Sequence, residues 1–216
     1  MSIQQQKIVK FAALVPVKSL DQAKSRLAAH LQPEQRATLM LDMLRHVLLT
    51  LRDSHAFDHI SVVSSDQDVL RYAQQWGAQA LLEEQAGHNP ALTAAATYEY
   101  QHGTTALLTI SADLPLLQVE DVCNLVEIAH QHDVIIAPSQ DGTGTNALLT
   151  RPPLVLPYRF GINSRYHHQY EAEQRQLRYY CYSSIGLALD IDTIEDINAF
   201  QTYDEQDLAC CTSSYL

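Results

Sequence analysis

The sequence has no lysine after residue 24. Its four lysines, Lys7, Lys10, Lys18 and Lys24, crowd the start, and Arg26 follows them. The other end is acidic, with Asp190, Asp192, Glu195, Asp196, Asp204, Glu205 and Asp207. A formal net charge of −11 over 216 residues argues against a nucleic-acid-binding surface. No apolar run approaches the ~20 residues that a membrane span needs. The stretch MSIQQQKIVKFAALVPVKSL lacks the pattern of a secretory leader, so no membrane partner and a cytoplasmic location are expected. Cysteine is scarce, and Cys123, Cys181, Cys210 and Cys211 have no zinc-like spacing, which reads as reduced thiols. The Walker and dinucleotide-binding fingerprints are missing. No Ser-His-Asp or Cys-His arrangement can be argued from the spacings. Repeats, low-complexity linkers and domain boundaries are also absent, so one domain is expected over residues 1–216, with a mobile tail from about residue 205.

What is present alternates between strands and helices. Ile8–Pro16, His59–Ser64, Gln79–Leu82, Ala106–Ile110, Asp133–Pro138 and Ala147–Thr150 read as strands. Pro33–Asp53 reads as a helix. Its proline suits the first turn, and Leu39, Met40, Met43, Leu44, Val47, Leu48 and Leu51 recur at helical spacing as core. Further helices are expected from Gln67 to about Trp76, from Pro90 to about Gln101, over Gln118–Gln131, over Arg165–Gln176 and over Thr193–Phe200. Leu187–Asp192, LALDID, reads as a last strand. The fold class is therefore α/β with a mainly parallel sheet.

Several residue types mark a site for a phosphorylated ligand. The apolar run Ala106–Ile110 stops at Ser111-Ala112-Asp113, and Pro115 forbids further ladder pairing. Asp113 thus lies at the carboxyl end of a central strand, the edge where open α/β sheets bind ligands; a helix cap is its plainer reading. On an extended LALDID, Asp190 and Asp192 point to one face. With Asp113 they make a three-carboxylate set for Mg²⁺, a hard ion that accepts oxygen ligands. Asp192 has an alternative as the cap of the helix after it. Lys18, Lys24, Ser25 and Arg26 in the first loop supply the cations and hydroxyl that a polyphosphate needs. Asp66 is expected to cap a helix, with a nucleotide contact as the alternative. Asn89 before Pro90 reads as an N-cap. The turn Ser139–Asn146 is either an anion-cradling run of amides or a hairpin. Ser164 is expected to cap the next helix and to put free amides and a positive dipole end at its start. His167 and His168 fall in that first turn, and His167 reads as solvated.

Taken together the motifs resemble the 2-phospho-L-lactate guanylyltransferase family of coenzyme F-420 biosynthesis, which includes phosphoenolpyruvate guanylyltransferases. The carrying pieces are VPVKSLDQAKSRL at Val15–Leu27, GHNPAL at Gly87–Leu92, SADLPLL at Ser111–Leu117, DGTGTNALL at Asp141–Leu149, FGINS with His168, and LDIDT at Leu189–Thr193. The resemblance implies a glycosyltransferase-A-like nucleotidyltransferase fold with a Rossmann-like mixed sheet. It implies Mg²⁺ on Asp113, Asp190 and Asp192. It places the phosphorylated acid on Thr145, Gly161, Ser164 and His168. It assigns Lys18, Lys24, Arg26 and Asn89 to GTP and its reaction. The implied acceptor is 2-phospho-L-lactate, phosphoenolpyruvate or 3-phosphoglycerate, and a homodimer is expected. Ile162-Asn163 replaces the usual Pro-Gly, which bears on acid specificity, and His88 replaces a small apolar residue. The competing readings are another nucleotidyltransferase of the same fold and a non-catalytic nucleotide-binding module. The Lys-rich first loop disfavours the sugar nucleotidyltransferases, and three retained carboxylates disfavour the module.

Overall fold

The structure, a computed structural model, describes residues 9–213, with side chains described to residue 203. Lys7 and Ile8 lie outside the described residues, as do the side chains of Cys210, Cys211 and the acidic residues from Asp204 on. Seven strands form one sheet in the order β3-β2-β1-β4-β6-β5-β7. They are β1 (Phe11–Pro16), β2 (His59–Ser64), β3 (Gln79–Leu82), β4 (Ala106–Ile110), β5 (Val134–Pro138), β6 (Thr145–Thr150) and β7 (Tyr179–Cys181). β6 runs antiparallel to both neighbours, β4 and β5, and the other pairings are parallel. The helices are α1 (Pro33–Asp53), α2 (Gln67–Gln75), α3 (His88–Gln101), α4 (Val119–Ala129), α5 (Ser164–Gln174), α6 (Ile185–Ala188) and α7 (Ile194–Ser213).

Strand alternation sorts the core into two layers. Ala13, Val15, Leu108, Ile110 and Ile135 face α1, α2 and α4, whereas Ala12, Leu14, Leu107 and Ile136 face α3 and α5. The chain builds β1, β2 and β3 outward to one side, then places β4 on the other side of β1. The loops after β1 and β4 consequently diverge at a topological switch point, where a crevice forms. α1 begins with Pro33 at its first position, behind a reciprocal side-chain and backbone pairing of Gln32 with Gln35.

Three expectations are corrected. Leu187–Asp192 is no strand: Ser184 accepts the Leu187 amide at 3.3 Å and starts the single-turn α6, after which the chain is extended but unladdered. Asn89 is no N-cap, since α3 starts at His88 behind Gly87, whose φ of 99° suits glycine. Ser164 is no cap either: Asn163 occupies that position in the left-handed region, and Ser164 is the first helical residue. The short β7 had no periodic signal and was not expected.

At the amino edge of the sheet the buried Glu99 of α3 accepts hydrogen bonds from Ser61 at 2.6 Å and Thr104 at 3.3 Å, and pairs with His59 Nε2 at 2.5 Å. Burial works against the Glu99 charge, but the His59 and Ser61 bonds hold its carboxyl below the usual range. The Glu99 bond raises the His59 pKa above its ordinary value. A raised histidine contributes stability that is complete below about pH 6.5 and lost as pH rises through the folded pKa. We expect Tm to fall through that alkaline window in the native chain. Glu99→Gln should flatten the dependence and cost roughly 1–3 kcal/mol in denaturant unfolding at pH 6. An unchanged pH profile in the variant would separate α3 docking from this pair.

Candidate active site

The loop after β1 folds back over the sheet edge. The Val17 amide reaches the Val63 carbonyl at 2.9 Å, and the Leu20 amide reaches Asp66 Oδ2 at 2.9 Å. Asp66 Oδ1 meanwhile accepts the Asp68 and Val69 amides and caps α2. Its two oxygens therefore tie the lysine loop to α2. Lys24 follows with φ 50° and ψ 43°, a left-handed conformation, just before one 3₁₀ turn over Ser25–Leu27. That turn sends the Lys24 side chain inward, only 4% exposed, while Arg26 stays 73% exposed. Lys18 is exposed.

Asp113 follows β4, and the extended segment after α6 crosses beside it, where the Ile191 amide donates to the Asp113 carbonyl at 3.2 Å. Leu189 and Ile191 point into the core, so Asp190 and Asp192 point the other way. The alternation expected of a strand thus survives without a strand. Asp113, Asp190 and Asp192 each offer an oxygen, all within 4.8 Å of one another. Asp192 is not the cap of α7. Asp196 Oδ2 instead gathers the Asp192 amide, the Thr193 amide and the Thr193 hydroxyl at 2.7–2.9 Å, and the Asp196 amide donates to Thr193 Oγ1 at 3.4 Å.

The charges are strongly coupled. Lys24 Nζ donates to Asp113 and, at 2.9 Å, to Asp192 Oδ1, with Arg26 Nη1 3.5 Å from the other Asp192 oxygen. Burial would lower the Lys24 pKa, but the charges of Asp113 and Asp192 raise it above normal. Burial likewise works to raise Asp192, and Lys24 outweighs it and holds the carboxyl low. Among the described residues Asp190 has no such cation. Burial, then the Asp113 charge, pushes it up to about 6 against the opposing Asn146 bond. An oxygen-only donor set with a half-buried carboxyl short of positive charge fits a divalent cation.

Asn146, which the sequence did not single out, sets the reach of Asp190. Its side-chain amide donates to the Leu187 and Ala188 carbonyls and to Asp190 Oδ1, all at 3.0–3.1 Å. The available signal was an asparagine directly before the apolar run Ala147–Thr150, and its burial inside β6 is visible only in the structure. Gly186 matters as well: a Cβ there would stand 2.7 Å from the Leu116 carbonyl and closer still to Asp121, so only glycine lets α6 approach α4.

The remaining candidates form a second group beside the first. Asn89 pairs with the backbone of Phe160, donating to its carbonyl at 3.0 Å and accepting its amide at 2.9 Å. His168 is fully buried, and burial holds its imidazole down at about 4, hence neutral. Its Nε2 accepts the Arg159 amide at 3.0 Å, so Nδ1 carries the proton and donates to Thr145 Oγ1 at 3.1 Å. His167 is exposed. The Phe160 ring packs edge-on against His88 at 5.6 Å and His168 at 5.0 Å. The residues assigned to nucleotide and acid are thus joined through one loop. Gly161, at φ 122°, and Asn163, at φ 57°, give that loop its shape, and asparagine is among the few residues with a side chain that tolerate the left-handed region.

The Gly-rich turn is the hairpin between β5 and β6, and its amides are engaged internally. Asp141 accepts the Thr143 amide at 2.9 Å, and the Ser139 hydroxyl accepts the Gly144 amide at 2.8 Å. The Ser164 and Arg165 amides are taken by the Gly161 and Thr143 carbonyls. This turn and helix start therefore do not present the row of free amides expected from the sequence. We expect Asn146→Ala to lower stability by about 1–3 kcal/mol and to weaken any divalent-cation binding at Asp190. Unfolding and titration calorimetry check the two effects, and unchanged metal affinity would show that Asp190 needs no such support.

The chain matches the family described as "Guanylyl transferase CofC like" over residues 11–208. It is 42% identical over 186 residues to a phosphoenolpyruvate guanylyltransferase of Rubrobacter xylanophilus, covering 86% of this chain and 90% of that one. It is 38% identical over 190 residues to a 2-phospho-L-lactate guanylyltransferase of Methanothermobacter thermautotrophicus, covering 88% and 83%. A solved 4-diphosphocytidyl-2C-methyl-D-erythritol synthase from Anaerococcus prevotii superposes with a TM-score of 0.64 at 10% identity, over 91% of this chain and 96% of that one. A nucleotidyl transferase from Methanothermobacter thermautotrophicus gives 0.62 at 14%, over 92% and 99%. These two likenesses concern the fold, a mixed, largely parallel nucleotidyltransferase-type sheet. On the sequence matches, the chain belongs to the CofC-like guanylyltransferase family of enzymes.

Proposed function

We propose that this chain joins GMP from GTP to the phosphate of a small phosphorylated three-carbon acid, releasing pyrophosphate, as a step in coenzyme F-420 biosynthesis. The observation that carries the reading is the meeting of three carboxylates with Lys24 at the sheet's switch point. In this reading Asp113, Asp190 and Asp192 hold Mg²⁺. Bound there, Mg²⁺ supplies positive charge for the triphosphate and the leaving pyrophosphate. Lys18, Lys24 and Arg26 add to that charge from the first loop, and Asp66 keeps the loop in place.

The chemistry needs little from acid–base groups. An acceptor phosphate oxygen, already anionic at neutral pH, forms a bond to the α-phosphorus. The bond from that phosphorus to the β-phosphate bridging oxygen breaks, and its electron pair leaves with pyrophosphate. No proton has to be taken. The protein's task is positioning and charge stabilisation. That agrees with a neutral, buried His168, which orients Thr145 instead of exchanging protons. Because Thr145 accepts from His168, its own hydroxyl proton is left to donate to the acceptor phosphate, alongside Ser164 and the Gly161 backbone. Asn89 shapes the same loop from the nucleotide side.

Two outcomes follow. Asp190→Asn should leave the fold intact and lower turnover by roughly 10²–10³ at saturating Mg²⁺; near-normal turnover would remove Asp190 from the metal set. Ser164→Ala should raise the acceptor KM with the GTP KM and Tm little changed, since Asn163 holds the cap position. If neither KM moves, the acceptor phosphate binds elsewhere. Mass spectrometry of the products from GTP with phosphoenolpyruvate, 2-phospho-L-lactate and 3-phosphoglycerate identifies the acceptor.

A further inference from the structure

Lys24 combines two features that a phosphate-binding lysine does not need. Its ammonium is buried and shared between Asp113 and Asp192, two of the three carboxylates suited to the divalent cation. Its backbone sits at φ 50° and ψ 43°, a region that residues with a Cβ disfavour. The Lys24 carbonyl accepts the Leu27 amide at 2.9 Å, but its side chain makes no cap bond in the 3₁₀ turn. The ion pairs are what hold the residue inward.

We infer that Lys24 and the divalent cation compete for the oxygens of Asp113 and Asp192, and that a bound cation turns the Lys24 side chain out toward the triphosphate. This rests on the metal reading of the three carboxylates proposed above. The physical argument has two parts. Two cations on the same pair of oxygens repel each other, so their binding is antagonistic. Loss of the carboxylate contacts also removes one tie on a disfavoured left-handed backbone, so relaxation of the loop favours the outward state. Arg26, 73% exposed and 3.5 Å from Asp192, has no comparable constraint and stays at the rim. Lys24 then serves two roles in sequence: a built-in counter-charge for the carboxylates, and a ligand for the nucleotide once the metal has taken them over.

The test reads the lysine itself. Reductive methylation of the full, chelator-treated chain is followed by mass spectrometry, with the exposed Lys10 as internal reference. Lys24 should react slowly without divalent ions and on the order of tenfold faster in saturating Mg²⁺. A non-hydrolysable GTP analogue added with Mg²⁺ should protect it again. In calorimetry, Lys24→Met should bind Mg²⁺ on the order of tenfold more tightly than the native chain. Lys24 that stays protected in Mg²⁺, while calorimetry records binding, overturns the displacement and leaves the metal site standing. Equal Mg²⁺ affinity in native chain and variant overturns the competition. Labelling that persists with the analogue overturns the turn toward the triphosphate. If neither protein binds Mg²⁺, the metal reading falls and the inference falls with it. The labelling arm uses the native chain, so it decides the matter even where Lys24→Met folds poorly.

Discussion

The structure around the crevice depends on charge compensation between one buried ammonium and three carboxylates. Asp113, Asp190 and Asp192 cannot all stay ionised within 4.8 Å of one another without positive charge nearby. Lys24 supplies one such charge, and its reach determines much else. The loop after β1 must fold over the sheet edge, which Asp66 and the Val63 carbonyl enforce. The backbone at residue 24 must take a left-handed turn. On the other side, α6 must press close enough to α4 for Gly186 to be the fitting residue there, so that the extended segment after it passes Asp113. Each of these local oddities makes sense as a condition for bringing opposite ends of the chain to one point.

Most of the scaffold was legible because it obeys a single period. α1 spans Pro33–Asp53 as its helical spacing indicates, and β2, β3 and β4 match their apolar runs and breakers. The site was legible in its chemistry more than in its local geometry. Alternation in LALDID correctly put Asp190 and Asp192 on one side, yet the segment is not a strand. Any extended chain alternates, whereas a ladder also needs a free neighbour, and Ser184 has already turned the preceding residues into α6. Asn89 misled for a related reason. The side-chain oxygen that would accept helix amides in a cap here accepts the Phe160 amide, and only tertiary structure shows that Phe160 is the partner. Asn146 left a faint signal, and its three acceptors come from a segment more than forty residues away in sequence.

The second group of site residues follows a different logic. Here the protein holds a loop by its backbone, leaving the loop's own side chains free to differ. Asn89 grips Phe160 and His168 grips Arg159, from α3 and α5 respectively. Just after these two grips Gly161 and Asn163 bend the chain, and Ile162 projects almost entirely into solvent at 90% exposure. Replacement of Pro-Gly by Ile162-Asn163 therefore need not change the path of the loop, because asparagine accepts the same left-handed conformation. What it does change is the surface at the tip, where a large apolar side chain now stands. His88 adds to the aromatic packing on Phe160 from α3.

These two regions divide the work between charge and shape, and the division explains why neither contains a strong acid or base. At the carboxylates, burial and repulsion drive Asp190 up to about 6, so the site stores a preference for cations. At the loop, burial drives His168 down to about 4, so its imidazole stays neutral and fixes the direction of its single N–H. One environment favours the arrival of positive charge, and the other keeps hydrogen-bond donors oriented without carrying charge. A reaction between two anionic phosphates needs both: cations to bring the partners together, and fixed neutral donors to set the angle of attack. A proton-exchanging side chain would add nothing to such a reaction, since the attacking oxygen is already ionised. The downward shift of His168 thus runs away from the range that general acid–base catalysis would call for, and the upward shift of Asp190 answers the want of a cation beside it.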